Sequence, residues 1–510
     1  MVCGTTSDAG KSQFVTGLCR LLARNGVRVA PFKAQNMANN SYVTSAGHEI
    51  GRAQALQAFA AGAEPEIAMN PILLKPSGER VSQVIVQGKP LGHLTALEYH
   101  EHKPQLFETV LASLRDLRLR FDVVICEGAG SPTEINLLSH DIVNLRVAQR
   151  ADLPAIVIGD INPGGVFAAL YGTVALLPDH LRSLVQGFVI NKLRGDPALL
   201  LDGTSQLQAA CGVPTLGVLP WIEGLLLDAE DSMSLDTKGA MGRSDSHETP
   251  VEALDIAVVR LPRIANFTDF DALAVEPGVH LRYVHHPAAL GSPDLVIIPG
   301  SKATVSDLNW FRDVGFDRAI ATIGASVLGI CAGYQMLGET IDDPVESGAG
   351  VVTGLGWLGV ATTFEPEKIT RQTSATALGC RLQGYQIHHG RVRVTSTSTT
   401  PWLRVHANPV TDTNTAAADV EHEICNTRNG KWIGGTTVHG LFDSDDFRHA
   451  FLSQIAGYAG KTPVSSTVNF AAKRFDQIDR VANAIEEHVD IEALCQLIES
   501  GVPARSKVMV

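Results

Sequence analysis

Short apolar runs punctuate the first half of the chain: Val27 to Pro31, Val123 to Cys126, Ala155 to Asp160, Gly187 to Asn191 and Val213 to Leu219. Runs this short and this rich in Val, Ile and Leu, without polar alternation, predict strands buried on both faces. Between them the period changes to that of a helix. Gln13 to Arg24 carries Phe14, Leu18, Leu21 and Leu22 on one face, and Glu49 to Ala61 also reads as helical. Asn70 to Pro76 reads as a loop or edge segment. Strands alternating with helices at this rhythm predict an α/β fold with a doubly wound parallel sheet. Ser234 to Pro250 is polar and reads as a linker. A second alternation then begins at Leu254 to Val259 and continues through Leu295 to Pro299 and Val327 to Ile330, predicting a second sheet of the same kind. The tail, Val468 to Ile498, has helical spacing at Ile478, Val481, Ile485 and Leu494, and reads as a packing extension. The expected domains are therefore 1–233, a linker at 234–250, 251–450, and a helical extension at 451–510.

The bulk properties narrow the picture only a little. The chain has 510 residues, is 45% hydrophobic and 19% charged, and has a formal net charge of -13. That is ordinary globular composition, with material for several cores. The negative charge is spread along the chain, which argues against a nucleic-acid surface. The eight cysteines are scattered with no CxxC pair, which disfavours a zinc ribbon or disulfide framework and suits a reducing cytosol. No apolar stretch is long enough for a membrane span, and the N-terminus reads directly into a strand and loop, so a cytoplasmic location is expected.

Two stretches carry candidate chemistry. The first is Gly4-Thr-Thr-Ser-Asp-Ala-Gly-Lys-Ser12, between a short strand and an amphipathic helix. A Gly-rich loop ending Gly-Lys-Ser in that setting cradles phosphates with backbone N–H groups and a helix N-terminus. Gly4, Thr5, Asp8 and Gly10 are candidate nucleotide contacts. Lys11 would reach the terminal phosphates, and the Ser12 hydroxyl would sit on Mg²⁺. Five residues, not the usual four, separate Gly4 from Gly10. Lys33 follows the next strand, where an open parallel sheet places ligands, and is a candidate phosphate contact or a solvated surface lysine. Glu127 ends the strand Val123 to Cys126, the expected place for a magnesium ligand opposite a phosphate loop.

The second stretch is Val327-Leu-Gly-Ile-Cys-Ala-Gly-Tyr-Gln-Met-Leu-Gly338. Gly329 and Gly333 flank Cys331 as G-x-C-x-G after a buried run, which is the pattern of a nucleophile elbow with a thiol. A thiol at a helix N-terminus is favoured as thiolate, and nearby N–H groups can hold an oxyanion. A thiol nucleophile needs a base. His388, His389, His406, His422 and His439 are the candidates in the later half of the second domain; His439, at a strand end before Gly440, ranks first and His389 second.

The first domain resembles the dethiobiotin synthetase-like ATPases, which share the five-residue loop spacing and a strand end matching Glu127-Gly-Ala-Gly130. The resemblance implies ATP as phosphoryl donor, a carboxylate activated as its phosphoric anhydride, and adenine recognition at Asn191. The second domain resembles class I glutamine amidotransferases, which implies that Cys331 attacks the glutamine carboxamide and releases ammonia. The usual Glu two residues after the histidine is replaced by Leu441, as in the cobyrinate-amidating branch. The residue that orients the imidazole is left unnamed. In this order the two modules are similar to the cobyric acid synthase family, on Pro31-Phe-Lys-Ala-Gln-Asn-Met37, Gly51-Arg-Ala-Gln54, Gly164-Gly-Val-Phe167, Leu261-Pro-Arg-Ile-Ala-Asn-Phe267, Pro299-Gly-Ser-Lys302 and His388-His-Gly390. That resemblance implies glutamine and adenosylcobyrinic acid a,c-diamide, a corrinoid, as substrates, with four side-chain carboxylates amidated in turn. Departures from its pattern are Asn162-Pro163, Gln386 and Ala332. A sister family amidating the a and c carboxylates shares both modules, and a non-catalytic binding protein on the same folds is a further alternative. Homo-oligomerisation is open.

Overall fold

The computed structural model describes the chain except residues 79, 226, 228–252, 407–419, 464–465 and 502–510. The stretch read as a linker, 234–250, lies outside the described residues.

The first domain is built on six parallel strands. These are β1 (Val2–Gly4), β2 (Val29–Lys33), β9 (Val123–Glu127), β10 (Ala155–Asp160), β11 (Val185–Leu193) and β12 (Thr215–Pro220), in the order β12-β11-β10-β1-β9-β2. The order reverses at β1, so the loop after β1 opens at the switch point where such sheets bind ligands. The helix Lys11–Arg24 packs its apolar face, Phe14, Val15, Leu18 and Leu21, into the core beside this sheet.

A second, smaller layer intervenes between β2 and β9. It comprises β3 (Gln35–Met37), β4 (Ser41–Val43), β5 (Glu49–Gly51), β6 (Ile72–Pro76), β7 (Val81–Val86) and β8 (Lys89–Thr95). β3-β6-β7-β8 form one sheet and β4-β5 a separate pair. Here two expectations fail. Glu49 is not helical: it lies in β5, and the helix spans Arg52–Ala60. Ile72–Pro76 is no loop or edge but an inner strand, paired on both sides by β3 and β7. Ile72 and Leu74 are buried in a satellite core with Val84, Phe107 and Leu111, which overrides the turn signal of Pro71 and Pro76.

The second domain carries an eleven-stranded mixed sheet. Its parallel part is β15 (Val279–Val284), β13 (Leu254–Val259), β16 (Leu295–Ile298), β18 (Ser326–Ile330) and β25 (Lys431–Thr436), in that order. From β25 the pairing turns antiparallel through β24 (Val420–Arg428) and β23 (Thr400–His406) to the long hairpin of β21 (Val360–Ala377) and β22 (Cys380–Val394). Two short strands, β19 (Thr340–Asp343) and β20 (Gly350–Thr353), finish that edge, and β14 (Ile264–Ala265) pairs with β17 (Gly300–Ser301) apart from the main sheet. So the α/β class holds in both halves, with antiparallel strands added to the second.

The chain then returns to its beginning. Helix Asp445–Ala459 buries Phe447, Phe451 and Ile455 in the second domain's core. Helix Phe470–His488 instead packs on Lys11–Arg24, burying Ile478, Val481 and Ile485 in the first domain's core. The two helices meet so closely that a Cβ on Gly17 would lie 2.6 Å from a Val481 methyl. Arg20 and Arg24 frame the contact with ion pairs to Asp479 and Glu486.

The domains touch through β4 and the elements around it. Tyr385 in β22 donates its hydroxyl to the Ser41 carbonyl, 3.1 Å away. Asn266 accepts from the Ser41 N–H, Asn40 accepts from the Phe267 N–H, and Gln372 donates to the Val43 carbonyl.

Candidate active sites

At the first site the loop Gly4 to Gly10 leaves β1 and feeds the helix that starts at Lys11. Thr5 is tied by its N–H to the Ile158 carbonyl. Lys11 is buried, and its ammonium donates to the carbonyls of Thr6 and Ser7 at 2.8 and 3.1 Å. It is therefore folded over the loop that it would help to load with phosphate. Asp8 offers its backbone carbonyl to Lys192, which also pairs with Asp160 at 2.6 Å. Asn191, at the end of β11, donates its amide to the Ala9 carbonyl at 3.0 Å and so touches the same loop.

Glu127 ends β9 opposite this loop and is 1% exposed. Its Oε1 accepts from the Ser12 hydroxyl at 2.7 Å and from the Lys33 ammonium at 2.8 Å, and Oε2 accepts from Gln57 at 2.6 Å. Lys33 is thus a buried ion-pair partner of Glu127, not a solvated surface lysine. The pairing of β2 with β9 puts Lys33 directly beside Glu127. A hydroxyl and a carboxylate brought together at the mouth of a phosphate loop are hard oxygen donors of the kind Mg²⁺ takes, with substrate phosphates completing its shell. Gly4, Thr5, Asp8, Gly10, Lys11, Ser12, Asn191, Lys33 and Glu127 thus fall around one switch point.

At the second site Cys331 follows β18, and the helix Ala332–Leu337 begins at once. Cys331 sits at φ 52°, ψ −106°, a backbone region that non-glycine residues seldom occupy and that marks a functional site when its surroundings hold it there. The surroundings do hold it. Its N–H donates to the Thr436 carbonyl at 2.7 Å, and a Cβ on Gly333 would fall 1.9 Å from the Ile298 carbonyl oxygen. Only glycine lets the turn close this tightly against β16.

His439 follows β25, the strand paired with β18, and the parallel register carries it to Cys331. Burial lowers the affinity of its ring for a proton, but the Asp269 carboxylate beside it and its hydrogen bond with Cys331 outweigh that and raise its pKa to about 10. Asp269 Oδ2 lies 2.7 Å from His439 Nδ1, while Oδ1 accepts from the Gly440 N–H at 2.9 Å. Asp269 sits in a 3-10 turn, Phe267–Phe270, 170 residues earlier in the chain. It is the residue sequence reasoning left unnamed, and Leu441 is meanwhile buried in hydrocarbon. Tyr385 stacks on the outer face of the His439 ring, with centroids 5.4 Å apart.

The remaining histidine candidates divide. His406 bonds Thr376 on β21, and His422 lies on β24. His388 and His389 both line the Cys331 pocket, without reaching the elbow in the way His439 does. Gln386 is fully buried, bonded to Thr437, Glu421 and Arg371.

Comparison with known proteins matches residues 1–235 to the CobQ/CobB/MinD/ParA nucleotide binding domain and residues 255–447 to the CobB/CobQ-like glutamine amidotransferase domain. Over the whole chain the sequence is 50% identical to the cobyric acid synthase of Nocardia farcinica, covering 100% of this chain and 98% of that one. It is 49% identical to that of Saccharopolyspora erythraea, with 99% and 95% covered, and 48% identical to that of Rhodococcus jostii, with 99% and 96%. No helix among the described residues is long and apolar enough to cross a membrane. The chain, a nucleotide-binding domain joined to a glutamine amidotransferase domain, belongs to the cobyric acid synthase family.

Proposed function

We propose that this enzyme amidates four side-chain carboxylates of adenosylcobyrinic acid a,c-diamide, using ATP and glutamine, in cobalamin biosynthesis. The modules are residues 1–233 for phosphoryl transfer and 251–450 for glutamine hydrolysis, with 234–250 as the linker; of the extension read at 451–510, the part to Ala459 completes the second domain's core and helix Phe470–His488 packs on the first. The observation that carries the reading is the line Cys331–His439–Asp269, set at a strained elbow and backed by a residue that reaches across to the ATP domain.

In the glutaminase half, the Cys331 thiolate attacks the carboxamide carbon, and His439 holds the proton. Asp269 fixes the ring tautomer by accepting from Nδ1, so the other nitrogen faces sulfur. His439 passes its proton to the departing nitrogen, the C–N bond breaks, and ammonia leaves a glutamyl thioester that water hydrolyses to glutamate.

In the synthetase half, Gly4, Thr5, Asp8 and Gly10 shape the loop around the ATP phosphates, and Asn191, held to that loop by the Ala9 carbonyl, would recognise the adenine as the family resemblance implies. Lys11 moves from its loop carbonyls onto the γ-phosphoryl as charge develops there. Ser12 and Glu127 would hold Mg²⁺, which when bound offsets charge on the phosphates. Lys33 stays against Glu127 and adds a positive charge facing the transferring group. The corrinoid carboxylate takes the phosphoryl group and ADP departs. Ammonia then attacks the acyl phosphate carbon, and phosphate leaves as the amide loses a proton.

Cys331→Ala tests the division of labour. Glutamine-driven amidation, followed by the mass of the corrinoid product, is expected to fall at least a thousandfold, about the scale for removing a catalytic nucleophile. Ammonium-driven amidation is expected to persist. Persistence of both would remove Cys331 from the mechanism.

A further inference from the structure

The pocket beside Cys331 holds more charge than thiol chemistry needs. Lys302 and Lys368 from the second domain line it, and so does Lys75 from β6 of the first. Lys302 is matched by Glu346 at 2.5 Å. Lys75 and Lys368 share a single carboxylate, that of Glu49, at 2.6 and 2.5 Å on its two oxygens. Glu49 is 1% exposed, and both lysines are buried with it. Two buried ammonium groups on one carboxylate leave a positive charge unmatched among the described residues. Burial pulls Lys75 down to about 8 even though Glu49 acts against it. A buried, half-matched cation costs stability and is not explained by packing.

The opposite requirement appears on β22. His388 and His389 each direct Nδ1 at a backbone carbonyl, of Gly390 at 2.7 Å and Glu365 at 3.0 Å. Nδ1 therefore carries the proton, and Nε2 is left as an acceptor. In both residues Nε2 is buried without a hydrogen-bond partner among the described residues. Burial lowers the pKa of both rings, that of His388 to about 3, so they stay neutral. Both residues line the pocket that Lys75 and Lys368 also line, so spare cations and spare acceptors lie close together near the nucleophile.

We propose that this is the recognition site for the amino-acid end of glutamine, with Lys75 and Lys368 binding the α-carboxylate and His388 and His389 accepting from the α-ammonium. The proposal rests on Cys331 acting as the glutaminase nucleophile. As the side chains lie, the cavity measures about 40 Å³, room for a few waters but not an amino acid. Glutamine therefore has to widen the pocket as it binds, its α-carboxylate matching the second positive charge while Glu49 keeps the first. Because Lys75 and Glu49 belong to the ATP domain, glutamine binding needs both domains docked.

Glutaminase kinetics of the full chain test this, with ammonium-driven amidation as the check that each variant folds. Lys75→Met is expected to raise KM for glutamine about ten- to hundredfold, the scale of a lost charge-assisted bond, with a smaller effect on kcat. Lys75→Arg is expected to stay within a few-fold of the native KM. Glu49→Gln removes the competing carboxylate but keeps both lysines, so its KM is expected to be lower. The native enzyme is expected to discriminate against 4-aminobutanamide, which lacks the α-carboxylate, and Lys75→Met to lose most of that discrimination. If Lys75→Met does not fold, Lys368→Met with the same pair of substrates decides the matter. An unchanged KM in the methionine variant, or equal increases in Lys75→Met and Glu49→Gln, would overturn the assignment. Absence of glutaminase activity in the native chain would instead defeat the Cys331 reading beneath it.

Discussion

Asp269 is the residue on which the proposed glutaminase depends most after the thiol itself. Both its oxygens are committed, one to the imidazole and one to the Gly440 N–H, so it fixes the ring and the backbone that carries it. Asp269→Asn presents a donor to Nδ1 and reverses the tautomer. Glutamine hydrolysis is expected to drop about a hundredfold or more, while ammonium-driven amidation stays near native, measured by glutamate release and product mass. The same pair makes a pH-dependent contribution to stability. His439 binds its proton more tightly folded, with a pKa of about 10, than in an unfolded chain, where it is near 6.5. The contribution is therefore full below about 6.5, declines as pH rises, and is gone above about 10. Denaturant unfolding of the native and Asp269→Asn proteins is expected to show a stability gap that narrows across that window. His439 could be ranked first from sequence because it follows a strand and precedes a glycine. Asp269 could not, because nothing local joins Phe267–Phe270 to a strand end so far along the chain. The link exists only when β13, β16, β18 and β25 lie side by side.

At the scale of elements, the parallel strands were readable because they are apolar on both faces, and the elbow because two glycines bracket one thiol. The layer between β2 and β9 was not readable. Its strands are short, and β4 and β5 owe their position to contacts such as Ser41 with Asn266 and Glu49 with Lys75 rather than to any apolar period. Amphipathic spacing also marked the tail helix but not its partner. Phe470–His488 has to bury Ile478, Val481 and Ile485 somewhere, and the flat face of Lys11–Arg24 at Gly17 receives it. The helix carrying Lys11 and Ser12 is thereby clamped from behind by the end of the chain. Ile485→Ala leaves a cavity in that contact and is expected to cost about 2–4 kcal/mol in denaturant unfolding. It is also expected to weaken ATP binding, while glutamine hydrolysis stays near native.

Over the whole molecule, the two active sites are joined at the glutaminase side. Tyr385 stacks on His439 with one face and reaches Ser41 of the ATP domain with its hydroxyl. Tyr42, next to Ser41, meets Tyr385 at 5.7 Å and Phe59 at 5.6 Å, and Phe59 lies on the helix that also carries Gln57, whose amide donates to Glu127. Aromatic rings and a buried amide thus make a continuous line of contacts from His439 to Glu127, and the test is whether ammonia crosses that junction without escaping to water. Tyr385→Leu removes the stacked ring and the hydroxyl but keeps an apolar side chain. Each half-reaction is expected to survive, with glutamine hydrolysis reduced only a few-fold. The yield is where the loss falls: glutamate released per amide formed is expected to rise from near one to several, and added ammonium to restore the amide yield. A ratio that stays at one in this variant would mean that the junction around Tyr385 does not retain ammonia.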